Sequence, residues 1–173
     1  IAETLGIRDK AIDRIATAAL LHDVGKIHEV FGPILSKPGR LTEEENAIMR
    51  THPVKSEELV ATVSRLGDLL KPIRHHHENW DGSGYPDGLV GTDIPLTSRI
   101  IMFADTVDAM TTDRPYRPAL SESAVRDELV RYRGKQFDPK ICDALLESGI
   151  LPMLVARAHT NTSFPTSAVR SAD

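Results

Sequence analysis

The sequence predicts an all-α, single-domain helical bundle. Apolar residues recur at three- and four-residue spacing in segment after segment, and alternating strand-like runs are almost absent. The length, 173 residues, suits one domain with an appended tail. A composition of 40% hydrophobic and 27% charged residues is that of a globular chain able to bury a sizeable core.

The opening "IAETLGIRD" reads as the end of a helix, and because the chain starts at Ile1 instead of methionine it reads as a piece of a longer protein. Ile12, Ile15, Ala16 and Ala19 keep one apolar stripe at helical spacing, closed by Gly25 within "HDVGK". A loop follows, "EVFGPILSKPGR", punctuated by two glycines and two prolines. Thr42 with Glu45 three residues later forms a capping box, whose helix is expected to run to about His52. Leu59, Val60, Val63 and Leu66 mark another helix, stopped near Gly67, and the segment after Pro72 reads as a short helix carrying three histidines. Beyond a glycine-broken loop, Ile100, Phe103, Ala104 and Val107 define a strong helix. Ser121 caps one more, with Val125, Leu129 and Tyr132 on its buried side, and Asp138-Pro139 supplies a cap and a first-turn proline for "KICDALLE". From Gly149 the periodicity fades, so the expected domain is 1–148 and the expected mobile tail 149–173.

Charge and cysteine content narrow the function. A net charge of −4 argues against broad attraction to nucleic acid, so any anion binding must come from a local basic cluster. The single cysteine, Cys142, excludes an internal disulfide framework and a thiolate zinc site and fits a reducing, cytoplasmic setting. No apolar run approaches the roughly 18 residues of a membrane span, and no signal peptide is visible. Membrane contact is expected only through an upstream domain.

The chemistry starts at His22-Asp23, on the last turn of an apolar helix, where a buried carboxylate needs a metal or a hydrogen-bond network. By itself the dipeptide fits a capped helix end equally well. His52, His76, His77 and Asp105 stand in similar settings. Neighbours on a helix point about 100° apart, so His76 and His77 are expected to address two adjacent ions, while His75 faces away from both. Asp105 lies off the apolar stripe of its helix, where a carboxylate can bridge metals. Imidazole and carboxylate without thiolate suit Fe, Mn, Zn or Ni, and two such ions a few Å apart are a recurring solution to phosphate-ester hydrolysis.

The blocks "AALLHDVGKI", "LSKPGRLTEEE", "MRTHP", "HHHENWDGSGYP", "FADTVDAMTTDRPYR" and "KQFDP" resemble, in order and near spacing, the HD-GYP domain, a bacterial branch of the HD phosphohydrolases. The resemblance covers about residues 11 to 145. It implies a helical bundle of the HD phosphohydrolase type that hydrolyses cyclic-di-GMP to linear pGpG, GMP or both. It implies two divalent ions, Fe or Mn first and Zn or Ni as alternatives, with a third where an upstream glutamate is present. Carried over, the metal ligands are His22, Asp23, His52, His76, His77 and Asp105, with Asp23, Asp105 and Lys26 catalytic. Lys26 then lies at the scissile phosphate, Gly84, Tyr85 and Pro86 form the GYP triplet at the substrate, and Arg114 and Arg117 bind substrate. The second phosphate of a cyclic dinucleotide needs a cation of its own, and "DRPYR" offers those two arginines on a proline-stiffened segment.

Three departures from the family pattern stand out. The family's first metal-binding histidine, and the glutamate one turn before it, lie on a helix upstream of "LGIRDKAID", so that first helix is expected to be truncated here. The stretch "KIHEVFGPILSKPG" is more polar and one residue longer than usual, and His28 and Glu29 are expected to form a solvated loop. His75 replaces a residue usually aromatic or apolar. The alternatives are a catalytically impaired cyclic-di-GMP receptor, an interaction module in which the GYP loop meets diguanylate cyclase domains, and a hydrolase for another cyclic dinucleotide. The same resemblance allows a homodimer.

Overall fold

The structure, a computed structural model, describes residues 1–113 and 118–161, with side chains as far as Ala156 in the last helix. Among the described residues there are α-helices and short 3-10 turns, with no strand beyond an isolated bridge between Arg133 and Phe137. Helix α1 (Lys10–Leu21) follows a single 3-10 turn, Glu3–Leu5, that ends in Gly6 at φ 76°. The stretch predicted to be a loop folds as consecutive turns, Val24–Ile27 and Glu29–Phe31, then α2 (Gly32–Leu35), because Phe31 and Ile34 are buried and anchor it. Helix α3 (Glu43–Met49) carries the expected capping box: Thr42 Oγ1 accepts from the Glu45 amide and the Glu45 carboxylate accepts from the Thr42 amide.

The helix expected through Leu59, Val63 and Leu66 stops at Ala61, and a 3-10 turn, Ser64–Leu69, runs on through Gly67. Two further boundaries differ from the sequence reading, and both matter for the site. His52 opens α4 (His52–Ala61) instead of closing α3, since Pro53 in the first turn has no amide to leave unpaired there. Helix α5 (Leu70–Arg74) ends before the histidines, and His75, His76 and His77 lie on the turn that follows it. The chain bends there because Glu78, buried next door, is tied by its side chain to the loop beyond.

The second half is α6 (Leu96–Thr111), α7 (Glu122–Tyr132), α8 (Pro139–Ser148) and α9 (Leu151–Asn161). Ser121 and Asp138 cap α7 and α8 as the sequence predicts, by accepting from the Ala124 and Lys140 amides. The assignment of 149–173 to a tail is corrected over its first part. Gly149, at φ 69°, turns the chain, and α9 returns Leu151 and Val155 to the core; residues 162–173 lie outside the described residues.

Two apolar clusters hold these pieces. The larger joins Phe103 and Val107 of α6 to Leu129 of α7, Leu145 of α8 and Leu151 of α9; the smaller joins Ala18 of α1, Val60 of α4, Ile73 of α5 and Ile101 of α6. Each fully buried side chain of this kind contributes roughly 1.5–3 kcal/mol. Helix α6 belongs to both clusters, so the polar face it shows between them is fixed from two sides.

Candidate metal centre

Three histidines are oriented by one device. The Nδ1 of His22 lies 2.6 Å from the Ala19 carbonyl, that of His52 2.7 Å from the Met49 carbonyl, and that of His76 2.6 Å from the Ile73 carbonyl. A carbonyl only accepts, so each Nδ1 carries the proton and donates it three residues back. Each neutral ring is left with a bare Nε2 lone pair. Those lone pairs meet. The Nε2 atoms of His52 and His76 are 3.2 Å apart, two acceptors facing one another, and both rings are buried. Asp23 brings its carboxylate into the same space: Oδ1 lies 3.1 Å from His52 Nε2 and 3.9 Å from His76 Nε2, and Oδ2 lies 3.4 Å from His22 Nε2.

Donor and acceptor counting leaves this cluster short of positive charge. Asp23 Oδ1 is buried with no hydrogen-bond donor, because the one proton of the neutral His52 ring is committed to Met49. Burial pushes the Asp23 carboxyl up, but the contacts at its two oxygens, the Lys26 ammonium 2.6 Å from Oδ2 among them, outweigh it and hold the group well below the ordinary carboxylate range. Burial, followed by the neighbouring rings, drives His76 well below its ordinary value and His77 down to about 3, so neither ring carries a second proton. An ionised carboxylate oxygen and several imidazole lone pairs converging without a donor fit a divalent cation. Among the described residues, two groups place their donor atoms within 4.8 Å of one another: His52, His76 and His77, and His22, Asp23 and His76.

His76 therefore belongs to both groups. The expected division, with His76 and His77 on separate ions, rested on helical geometry; on the turn their rings sit 4.2 Å apart and share a group with His52. Asp105 is on α6 and lines, with Ala19, His22, Ile101, Ala104 and Asp108, a cavity of about 220 Å³ beside His22. It stands next to the two donor groups and is in neither. His75 is in neither group also; its Nε2 meets Asp87 Oδ2 at 2.8 Å. Arg114 and Arg117 lie outside the described residues.

Residues 1–141 match the family model described as HD domain. The chain belongs to the HD domain family. Among curated relatives, the cyclic di-GMP phosphodiesterase response regulator RpfG of Xanthomonas campestris pv. campestris (strain 8004) is 44% identical over 150 residues, 84% of this chain and 39% of that protein. The 3'3'-cGAMP-specific phosphodiesterase 2 of Vibrio cholerae is 40% identical over 149 residues, 85% of this chain and 28% of that protein. This HD domain thus spans well under half the length of either relative. Among solved structures, Bd1817, an HDG"Y"P protein from Bdellovibrio bacteriovorus, superposes with TM-score 0.63 at 24% identity over 83% of this chain and 46% of that one, a likeness of fold. The HD-GYP resemblance read from the sequence holds.

Around the donors, the HD domain uses glycine where backbones touch. A Cβ on Gly25 would stand 2.8 Å from the His52 carbonyl oxygen, and the Gly25 amide donates to Ser56 Oγ at 2.9 Å, so the HD turn and α4 are in direct contact. A Cβ on Gly84 would reach within 2.6 Å of the His77 carbonyl oxygen, which accepts from the Tyr85 amide at 3.1 Å. The GYP triplet is thereby laid against the histidine turn, and the Tyr85 ring stacks on His77 with centroids 4.9 Å apart at 21°.

Sequence reasoning missed the residues that hold this loop. Glu78 Oε1 accepts from the Asp87 and Gly88 amides at 2.7 and 3.0 Å, and its Oε2 accepts from the Leu89 amide at 3.1 Å. Arg74 bridges Asp87, at 2.7 and 2.9 Å, to Glu57 of α4 at 2.7 Å. The available signal was a lone acid directly after the histidines. Its partners lie nine to eleven residues on, at amides that no side-chain pattern marks.

Proposed function

We propose that this HD domain is a metal-dependent phosphodiesterase that hydrolyses cyclic-di-GMP to pGpG, GMP or both. The observation that carries the reading is the convergence of three Nδ1-anchored imidazoles on the Asp23 carboxylate, His52 and His76 at the donorless Oδ1 and His22 at Oδ2. His22, Asp23, His52, His76 and His77 would hold the ions, with Asp105 completing the set from α6. Divalent ions bound there, Fe or Mn by this reading, supply Lewis acidity toward a phosphodiester and a nucleophile from water near neutral pH.

The chain's own residues prepare the site for that chemistry. The backbone carbonyls of Ala19, Met49 and Ile73 fix which nitrogen of His22, His52 and His76 faces the ions, so these three imidazoles need no change of tautomer on loading. Lys26 is held at the cluster by Asp23, where its charge can meet the charge that develops on the attacked phosphate. Gly84, Tyr85 and Pro86 form the rim, with Tyr85 pressed on His77. Arg114 and Arg117 are proposed for the phosphate that is not cut.

The names of relatives support the substrate class and leave one choice inside it. One relative is named for cyclic di-GMP and another, 40% identical, for 3'3'-cGAMP, so the second reading is hydrolysis of that cyclic dinucleotide. The test loads the protein anaerobically with Fe or Mn and follows each dinucleotide by chromatography, alone and in competition. Linear product from cyclic-di-GMP that outcompetes 3'3'-cGAMP supports the first reading, and the reverse preference supports the second. Tight binding without turnover under any metal would sink both and favour a receptor.

A further inference from the structure

Arg50 ends α3, two residues before His52, and is exposed. Its guanidinium carbon lies 4.7 Å from the centroid of the Tyr85 ring. An aromatic ring has two faces, and the stacked His77 imidazole fills one of them, so the guanidinium covers the other. Tyr85 is therefore closed on both sides, with no face left for a purine. Its ring carries the cation at the edge of the donor cluster by a cation–π contact.

Arg50 also differs from the arginines that carboxylates hold. Arg74 is taken by Glu57 and Asp87, Arg99 by Asp138, and Arg133 by Asp143. Among the described residues Arg50 makes no ion pair, although the chain carries an excess of acid. Lys26, the other cation at the cluster, is engaged by Asp23. A guanidinium with its fork unused, stacked one ring away from a phosphoester-cutting site, is placed to receive an anion.

We infer that Arg50, carried on the outer face of Tyr85, binds the phosphodiester of a cyclic dinucleotide that is not being cut. The inference rests on the hydrolase reading above and adds a further residue to the role proposed there for Arg114 and Arg117. Tyr85 becomes a positioning residue: it sets where Arg50 stands and lends no base-stacking surface. Guanidinium meets phosphate through two parallel N–H donors, a geometry that lysine cannot copy.

The test compares two diesters on the metal-loaded protein: cyclic-di-GMP, which has a second phosphate, and bis(p-nitrophenyl) phosphate, which has none. Arg50→Ala should lower the ratio of kcat/KM for cyclic-di-GMP to that for the small diester about tenfold, through KM, a change equivalent to about 1.4 kcal/mol. Arg50→Lys should recover only part of that ratio. Tyr85→Ala should raise the cyclic-di-GMP KM too, and the double variant should be no worse than the worse single one. An unchanged ratio in Arg50→Ala, or additive losses in the double variant, overturns the inference. A wild-type protein that cuts neither diester instead removes the hydrolase reading. Arg50 is then judged by equilibrium dialysis of cyclic-di-GMP, where a tenfold weaker Kd in Arg50→Ala supports it and an equal Kd overturns it.

Discussion

The apolar core of α6–α9 and the donor cluster at the end of α1 are both buried, and they are held together by opposite means. In the core, Leu129, Leu145 and Phe103 have no exposure, the rings of Phe103 and Phe137 pack at 5.0 Å, and the polar residue at its edge is satisfied: Asp138 caps α8 and accepts from Arg99 at 2.6 Å. In the cluster, His52 and His76 are equally buried, yet their lone pairs face each other and an Asp23 oxygen lacks a donor. The first region lowers the free energy of the fold by excluding water. The second is kept in an electrostatically unfavourable arrangement by its surroundings, which is the state a cation relieves. Stability and chemistry are therefore separable here, with α6 the element they share.

The sharpest way to break that separation is at Asp23. Asp23→Asn removes the ionised oxygen on which the rings converge, and cyclic-di-GMP turnover should fall by more than about 100-fold, beyond the loss typical of a group outside the ligand set. Circular dichroism should show the helices in place, and metal content by mass spectrometry should drop; full turnover in this variant would remove the carboxylate from the mechanism. Leu145→Ala should do the reverse. It opens a cavity in the core at a cost of about 2–5 kcal/mol, read from denaturant unfolding, while turnover per folded molecule stays near wild type.

Acid tests the cluster without a mutation. In metal-free protein, burial takes His77 from its ordinary 6.5 down to about 3 and moves His76 the same way. The unfolded chain therefore binds protons that the folded rings refuse. Stability is complete above about pH 6.5 and is lost as the pH falls toward about 3. Metal-free melting temperatures should fall across that window, and the slope should flatten in His77→Asn. Equal slopes would place the pH dependence elsewhere. Gly84→Ala has a smaller expected effect, because the new methyl presses on backbone at His77 and Asn79 and must push the loop outward. A stability loss of about 1–3 kcal/mol is expected, with a raised KM because Tyr85 leaves His77.

What the sequence made legible follows the same division. The Thr42–Glu45 capping box and the Asp138 cap were readable because both partners sit within one turn. His22, Asp23, His52, His76 and His77 were readable as motif blocks, and the structure brings these five together. Helix α9 was hidden because Leu151 and Val155 are explained only by distant partners on α6 and α7. Arg50 and Glu78 were hidden for a related reason. One is placed by a ring thirty-five positions away and the other by backbone amides, so neither leaves a periodic trace.

The smallest expected effect is also a control on the largest. His28 is one of seven histidines and stands two residues past Lys26, so by composition alone it belongs with the proposed ligands. Structurally it does not: it is exposed, its Nδ1 accepts from the Val30 amide at 3.4 Å, and its ring lies edge-on to Phe31 at 6.5 Å. Nothing fixes its tautomer toward the cluster as Ala19, Met49 and Ile73 do for His22, His52 and His76. His28→Ala should leave metal content and kcat/KM at wild-type levels and change stability by no more than about 0.5 kcal/mol. If His28→Ala lost metal, then nearness in sequence, and not the carbonyl-anchored Nδ1, would define the ligand set, and the contrast between His28 and His22 would fail.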